Sequence, residues 1–140
     1  LQQLQKELLV VLDWVDGRVQ ARKHVQRRLW LDAADARNLR DQLVRQVALQ
    51  AQALAPRVRV CGVAPGLMYL SGPQTQENFD RASRVNLLRR PTDPADVART
   101  CLFLAQTRAI TGTTLCVDSG QHLVPLARDV MFAVEDNPLP

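Results

Sequence analysis

The chain has 140 residues, 46% of them hydrophobic and 23% charged, with a formal net charge of +4. That size suits one globular domain, which on folding buries roughly two-thirds of the surface its unfolded chain exposes and needs no disulfide staples. No run approaches the ~18 apolar residues of a membrane span and the first residues lack a signal-peptide layout, so a cytoplasmic protein is expected.

The sequence starts at Leu1 rather than Met, and Leu1-Gln2-Gln3-Leu4-Gln5-Lys6 reads like the end of an amphipathic helix, as expected of a fragment or a processed product. The unbroken apolar run Leu8-Leu9-Val10-Val11-Leu12, bounded by Asp13 and then Asp16-Gly17, predicts a first strand buried in a parallel sheet. Arg18 to Arg28 holds five formally positive residues and no acid. It is read as a solvated helix face or loop, because Trp30 is the only nearby aromatic and no stacking residues or zinc spacing support nucleic-acid binding.

From Asp32 to Ala55 there is no Gly or Pro, and Leu39, Leu43, Val47, Ala51 and Leu54 recur at helical spacing. A long amphipathic helix is predicted, with Asp32 and Asp35 at its positive end and Pro56 after it. Val58-Arg59-Val60-Cys61-Gly62-Val63 predicts a second strand, stopped by Ala64-Pro65-Gly66. A loop from Leu67 to Pro73 leads to a polar segment, Gln74 to Val85, of helical character. Asp93-Pro94-Ala95-Asp96 predicts a helix start: Asp93 as N-cap, Pro94 first in the helix and Asp96 where an acid meets the dipole. That helix runs to about Gln106, Thr111-Gly112 turns the chain, and residues 113–118 form a third strand ending at Ser119-Gly120. The tail, residues 125–140, has little period and is set apart from a domain at residues 1–124.

This order predicts an α/β fold, a partial doubly wound (Rossmann-type) parallel sheet with flanking helices, joined by right-handed crossovers. Three parallel strands are few for independence, so half of a larger fold is expected, with apolar edges that favour a homo-oligomer or a missing N-terminal half as partner. Cys61, Cys101 and Cys116 lack C-x-x-C spacing and are read as buried thiols in a reducing compartment. His24 and His122 have no Cys or acid at ligand spacing, so no metal is expected, and Ser71 and Ser119 lack triad partners placed by motif.

Four ordered passages together resemble the C-terminal half of a short-chain dehydrogenase/reductase, best within the pteridine-reductase-like branch. They are Leu54-Ala55-Pro56-Arg57-Val58-Arg59-Val60-Cys61-Gly62-Val63-Ala64-Pro65-Gly66, then Ser71-Gly72-Pro73-Gln74, then Arg90-Pro91-Thr92-Asp93-Pro94-Ala95-Asp96-Val97-Ala98, and finally Ile110-Thr111-Gly112 through Val117-Asp118-Ser119-Gly120 to Leu123. The resemblance runs from roughly Leu43 to Leu123. It implies that Pro65, Gly66 and Leu67 lie against the nicotinamide of NADP or NAD, that the position of a cofactor-holding Thr reads Met68, and that Asp16 is the one catalytic candidate.

The same resemblance implies a Tyr and, one helical turn later, a Lys that lowers its pKa. Here the only tyrosine is Tyr69 and the only lysines are Lys6 and Lys23. Counting back from Ala55-Pro56 puts the pair at Ala36 and Arg40; counting forward from Asp16 puts it at Leu29 and Ala33. The counts differ by seven residues, so the segment from Gly17 to Leu43 is either strongly diverged or read in a shifted frame, which the coding DNA distinguishes. The six glycines, Gly17, Gly62, Gly66, Gly72, Gly112 and Gly120, form no phosphate-binding loop. Two readings follow: the C-terminal portion of an NAD(P)H-dependent reductase of carbonyls or pterins, inactive as an isolated chain, or a non-catalytic binding or oligomerisation module of the same descent. A small-molecule substrate belongs to the first, and neither reading involves a membrane.

Overall fold

The computed structural model describes residues 9–15, 18–24, 33–70, 74–126 and 129–136. Strand β1 (Leu9–Val15) pairs antiparallel with β2 (Arg18–His24), from Val15 opposite Arg18 to Leu9 opposite His24. Only Asp16-Gly17 separates the two strands in sequence, and Asp-Gly between extended runs is a strong hairpin signal. A link of this length cannot carry the crossover that parallel neighbours need. The basic residues Arg18, Arg22 and Lys23 therefore lie on a strand rather than on the expected helix face or loop.

The sheet order is β2-β1-β3-β4, with β3 at Val60–Pro65 and β4 at Thr114–Val117. β1 meets β3 antiparallel, Leu12 opposite Cys61, whereas β3 and β4 run parallel from Gly62 opposite Thr114 to Pro65 opposite Val117. The α/β architecture, a partial doubly wound sheet with flanking helices, is as expected, but only β3 and β4 are parallel. The direction of the first strand is corrected because its hairpin, and not its apolar composition, sets it. The basic strand β2 stands at one end of the sheet order.

β3 is the axis of the core. Val60 and Val63 are 0% exposed and Cys61 2%. Alternate strand residues point to opposite faces. Val60 joins Val47 and Ala51 of α1 (Ala33–Leu54), and Cys61 and Val63 join Val97 and Leu104 of α3 (Pro94–Gln106). The two helices thus cover opposite faces of one strand. Each buried Val or Leu side chain contributes about 1.5–3 kcal/mol relative to exposure.

A third cluster joins Leu67, Ala82 and the apolar face of α4 (Val130–Asp136), which forms within the aperiodic tail. There α2 (Gln76–Ala82) is held to α4 by Asn78, a buried amide that donates to Met131 O at 2.9 Å and accepts from Gln74 Nε2 at 2.8 Å. The start of α3 is as expected: the Asp93 carboxylate accepts from Ala95 N, Pro94 opens the helix, and Asp96 in the first turn pairs with Arg99 at 2.6 Å.

The far end of α3 is closed by a residue from β3's approach. Arg59 donates from Nη1 to the carbonyls of Leu104, Thr107 and Ile110 at 3.0, 3.0 and 2.8 Å, and from Nη2 to Ala105 O at 2.9 Å. Helix ends leave carbonyls without intrahelical partners, and a cation there also suits the dipole. Replacing Arg59 with Leu is expected to cost about 2 kcal/mol in urea unfolding, against less than about 0.5 kcal/mol for the exposed Arg57→Leu. Equal midpoints for the two variants would remove this role.

Candidate functional site

Parallel strands in an open α/β sheet present their carboxyl ends to ligands. Here those ends are Pro65-Gly66 after β3 and Asp118-Ser119 after β4, tied by Gly66 N donating to Val117 O at 3.0 Å. A third loop closes the cluster: Thr92 N donates to Leu67 O at 3.0 Å, and Leu88 N to Ser119 O at 3.1 Å. The turns flagged by sequence, at residues 65–67 and 118–120, therefore meet at one place.

Gly66 is there because nothing larger fits. A Cβ on it would lie 2.6 Å from Thr92 Oγ1 and 2.8 Å from Asp118 Cα. Gly120 carries φ +79, and beside it Ser119 and, on the facing loop, Arg89 take φ +55 and +52, a left-handed conformation uncommon for residues with side chains. These torsions let two tight turns face one another across the end of the sheet.

Asp118 organises its own turn. Oδ1 accepts from Gly120 N at 3.0 Å, and Oδ2 accepts from His122 N at 2.9 Å and lies 2.7 Å from His122 Nδ1. The carboxylate fills the hollow of backbone amides that such left-handed turns offer to anions. Sequence reading found no acid beside His122; it stands four residues back, on the short 3-10 turn Gln121–Leu123. An Asp four residues before a His, straddling a Gly, is the signal that was available. Thr92 was read only within the resemblance; it is 5% exposed against Gly66, and Asn86, 7% exposed, fixes the neighbouring loop by donating to the Ser83 and Arg90 carbonyls at 2.7 Å.

Of the residues expected at the cofactor, Pro65 and Gly66 are half-buried at this end of the sheet, while the Leu67 side chain is buried against α2 and α4. Met68 packs into the cluster between β3 and α3. Ala36 and Arg40 lie one turn apart on the unbroken helix α1. Asp16, the catalytic candidate, Leu29 and Ser71 lie outside the described residues. Three neighbouring loops thus bring a backbone turn, a carboxylate with its imidazole and a buried hydroxyl together. Among the described residues no group of three or more His, Cys, Asp or Glu is placed to hold a metal ion.

A dinucleotide needs a flat face for its nicotinamide and amide or cationic donors for its pyrophosphate. Gly66 keeps the turn at residues 65–67 free of a side chain at its centre, and Met68, a thioether that cannot donate, packs against the cluster between β3 and α3. No glycine-rich phosphate loop stands among the described residues.

The thiols meet the expectation of burial at Cys61 and depart from it at Cys116. Cys61 is buried and Cys101 half-buried, and burial pushes both thiols up, Arg59 partly opposing this at Cys61. Cys116 is exposed, because β4 ends the sheet and only Leu115 and Val117 of that strand pack against the α3 cluster.

Gly66→Ala is expected to destabilise the chain by about 1–3 kcal/mol in chemical denaturation. Adding Thr92→Ala should recover only part of the loss, since the contact with the Asp118 backbone remains. A neutral Gly66→Ala would show that the turn is free to move.

The enoyl-(acyl carrier protein) reductase family matches residues 32–122. A granaticin polyketide synthase protein of Streptomyces violaceoruber, named as a ketoacyl reductase, is 37% identical over 83 residues, 56% of this chain and 33% of its own. The short-chain dehydrogenase/reductase homolog YusR of Bacillus subtilis is 37% identical over 76 residues, 52% of this chain and 57% of its own. Among solved structures, FolM alternative dihydrofolate reductase 1 of Brucella canis, complexed with NADP, superposes with a TM-score of 0.56 at 37% identity, over 61% of this chain and 34% of that one. The chain thus spans about a third of two of these relatives and 57% of the other. Among the described residues no helix is long and apolar enough to cross a membrane. With the fold, the ordered turns and a family match over more than half of its residues, the chain belongs to the short-chain dehydrogenase/reductase family.

Proposed function

We propose that this chain is the carboxyl-terminal portion of an NADP- or NAD-dependent cytoplasmic reductase of carbonyl or pterin substrates, and that the isolated chain does not transfer hydride. The observation that carries the reading is the junction of Pro65-Gly66, Thr92 and Asp118 at the carboxyl ends of the parallel strands, where this fold receives ligands. Likeness to a reductase named for dihydrofolate and complexed with NADP supports the pterin class.

Reduction of a carbonyl or imine needs a proton donor at the atom opposite the incoming hydride. Neither Ala36-Arg40 nor Leu29-Ala33 supplies a phenol, and without one the charge of Arg40 has no acid whose pKa it could lower. Asp16 is the remaining candidate for proton transfer. A phosphate-binding loop has to come from another segment or another chain, so the missing half is the first partner proposed. Calorimetry with NADPH and the purified chain should give an affinity weaker than about 100 µM. Micromolar binding would overturn the reading that the cofactor site is incomplete.

A second reading, a non-catalytic oligomerisation module, is favoured by one feature. Strand β4 ends the sheet, and Leu102 and Phe103 of the adjoining α3 are 57% and 50% exposed. Apolar surface beside the last strand of a sheet favours self-association. Sedimentation at micromolar concentration should then show a dimer that Leu102→Glu with Phe103→Glu converts to monomer; a wild-type monomer sinks this reading.

A further inference from the structure

Two of the arginines whose side chains are described are committed to the fold. Arg59 is consumed by four carbonyls and Arg99 by Asp96. Arg81, Arg84, Arg89 and Arg90 are exposed, and among the described residues their guanidinium groups form no ion pair or hydrogen bond. All four lie within ten residues, on the end of α2 and the loop after it, with Leu87 and Leu88 exposed among them at 60% and 57%.

This loop is fastened to the candidate site at both ends. Leu88 N donates to Ser119 O, Thr92 N donates to Leu67 O, and Leu87 packs on Gly120, where a Cβ would lie 3.0 Å from its side chain. Arg89 and Arg90 therefore sit between the two ties. Arg89 holds its left-handed φ of +52 at a cost that glycine would not incur, so the backbone presents a guanidinium where strain favours having no side chain.

We propose that this surface binds the carboxylate-bearing tail of the substrate: an extended oligo-anion of the γ-glutamyl kind, joined through an apolar spacer to the ring received at Gly66. The inference rests on the pterin reading above, since folate-type pterins carry such a spacer and tail. The leucines match the spacer, and the guanidinium groups match carboxylates, which they grip in a fixed two-pronged geometry that an ammonium lacks. Nucleic acid fits less well, because the patch offers two leucines and no aromatic for stacking.

The test is equilibrium binding of pteroic acid, pteroyl-tri-γ-glutamate and free tri-γ-glutamate to the full chain. Wild type is compared with an Arg84→Gln, Arg89→Gln, Arg90→Gln variant and with a charge-matched control, Arg45→Gln, Arg57→Gln, Arg108→Gln. Because the three patch arginines hold nothing in the fold, the variant should keep the wild-type circular dichroism and unfolding midpoint. Arg89→Gly, which also relieves the backbone, gives a second folded variant with weaker binding. Pteroyl-tri-γ-glutamate should bind about tenfold more tightly than pteroic acid at low salt, and the advantage should vanish in the patch variant and at high salt but not in the control. Equal affinities, or an advantage that survives the patch substitutions, overturn the proposal. If pteroic acid fails to bind while both γ-glutamates bind through the patch, the surface stands and the pterin reading falls. If no probe binds, the surface falls with it.

Discussion

The structure depends on β3 being covered on both faces. A strand whose alternate residues must all be apolar or very small cannot exist at a surface, so α1 and α3 are each required by the residues they cover: Val60 on one side, Cys61 and Val63 on the other. The short edge strand β4 is docked by this arrangement, since Leu115 and Val117 share the α3 cluster with Cys61 and Val63. Arg59 then links the strand to the carbonyl end of α3, so that one segment, residues 58–63, fixes both the layer spacing and the helix position.

From this follows where chemistry is possible. Because β3 and β4 run the same way, their carboxyl ends converge, and the chain must leave both strands sharply within one small volume. Gly66 permits a backbone approach that a methyl group would block, and the left-handed torsions at Ser119 and Gly120 turn the other exit. Asp118 satisfies the amides of that exit, so its carboxylate is spent on structure as much as on any ligand. The loop at residues 85–92 is held against both exits, which couples the basic surface mechanically to the site.

What was legible in the sequence was local. The Asp93-Pro94 start of α3 is written in adjacent residues whose side chains and ring close the helix end by themselves, and the long α1 follows from its period and the lack of Gly or Pro. Pro65-Gly66 and Ser119-Gly120 mark turns for the same reason. The direction of β1 was not legible from its apolar run, because direction belongs to the partner strand; the Asp-Gly pair beside it held the answer. α4 was missed because a helix of seven residues has little stability of its own and forms through its contacts with α2 and Leu67. Cys116 was misjudged because exposure on an edge strand depends on what covers the edge. The Asp118–His122 contact needed the 3-10 turn between them, whose tighter rise no hydrophobic period announces.

A fold can be held to its family by packing while its chemistry is decided elsewhere. Here the three residues that meet at the ends of the parallel strands also hold the structure: Gly66 by close approach, Thr92 by burial, Asp118 by its hydrogen bonds. None of the three is a phenol or an ammonium, and Ala36 and Arg40 lie one turn apart on α1. The end of the sheet is therefore stable through β3 and shaped at Gly66, by the same close approaches that hold the core.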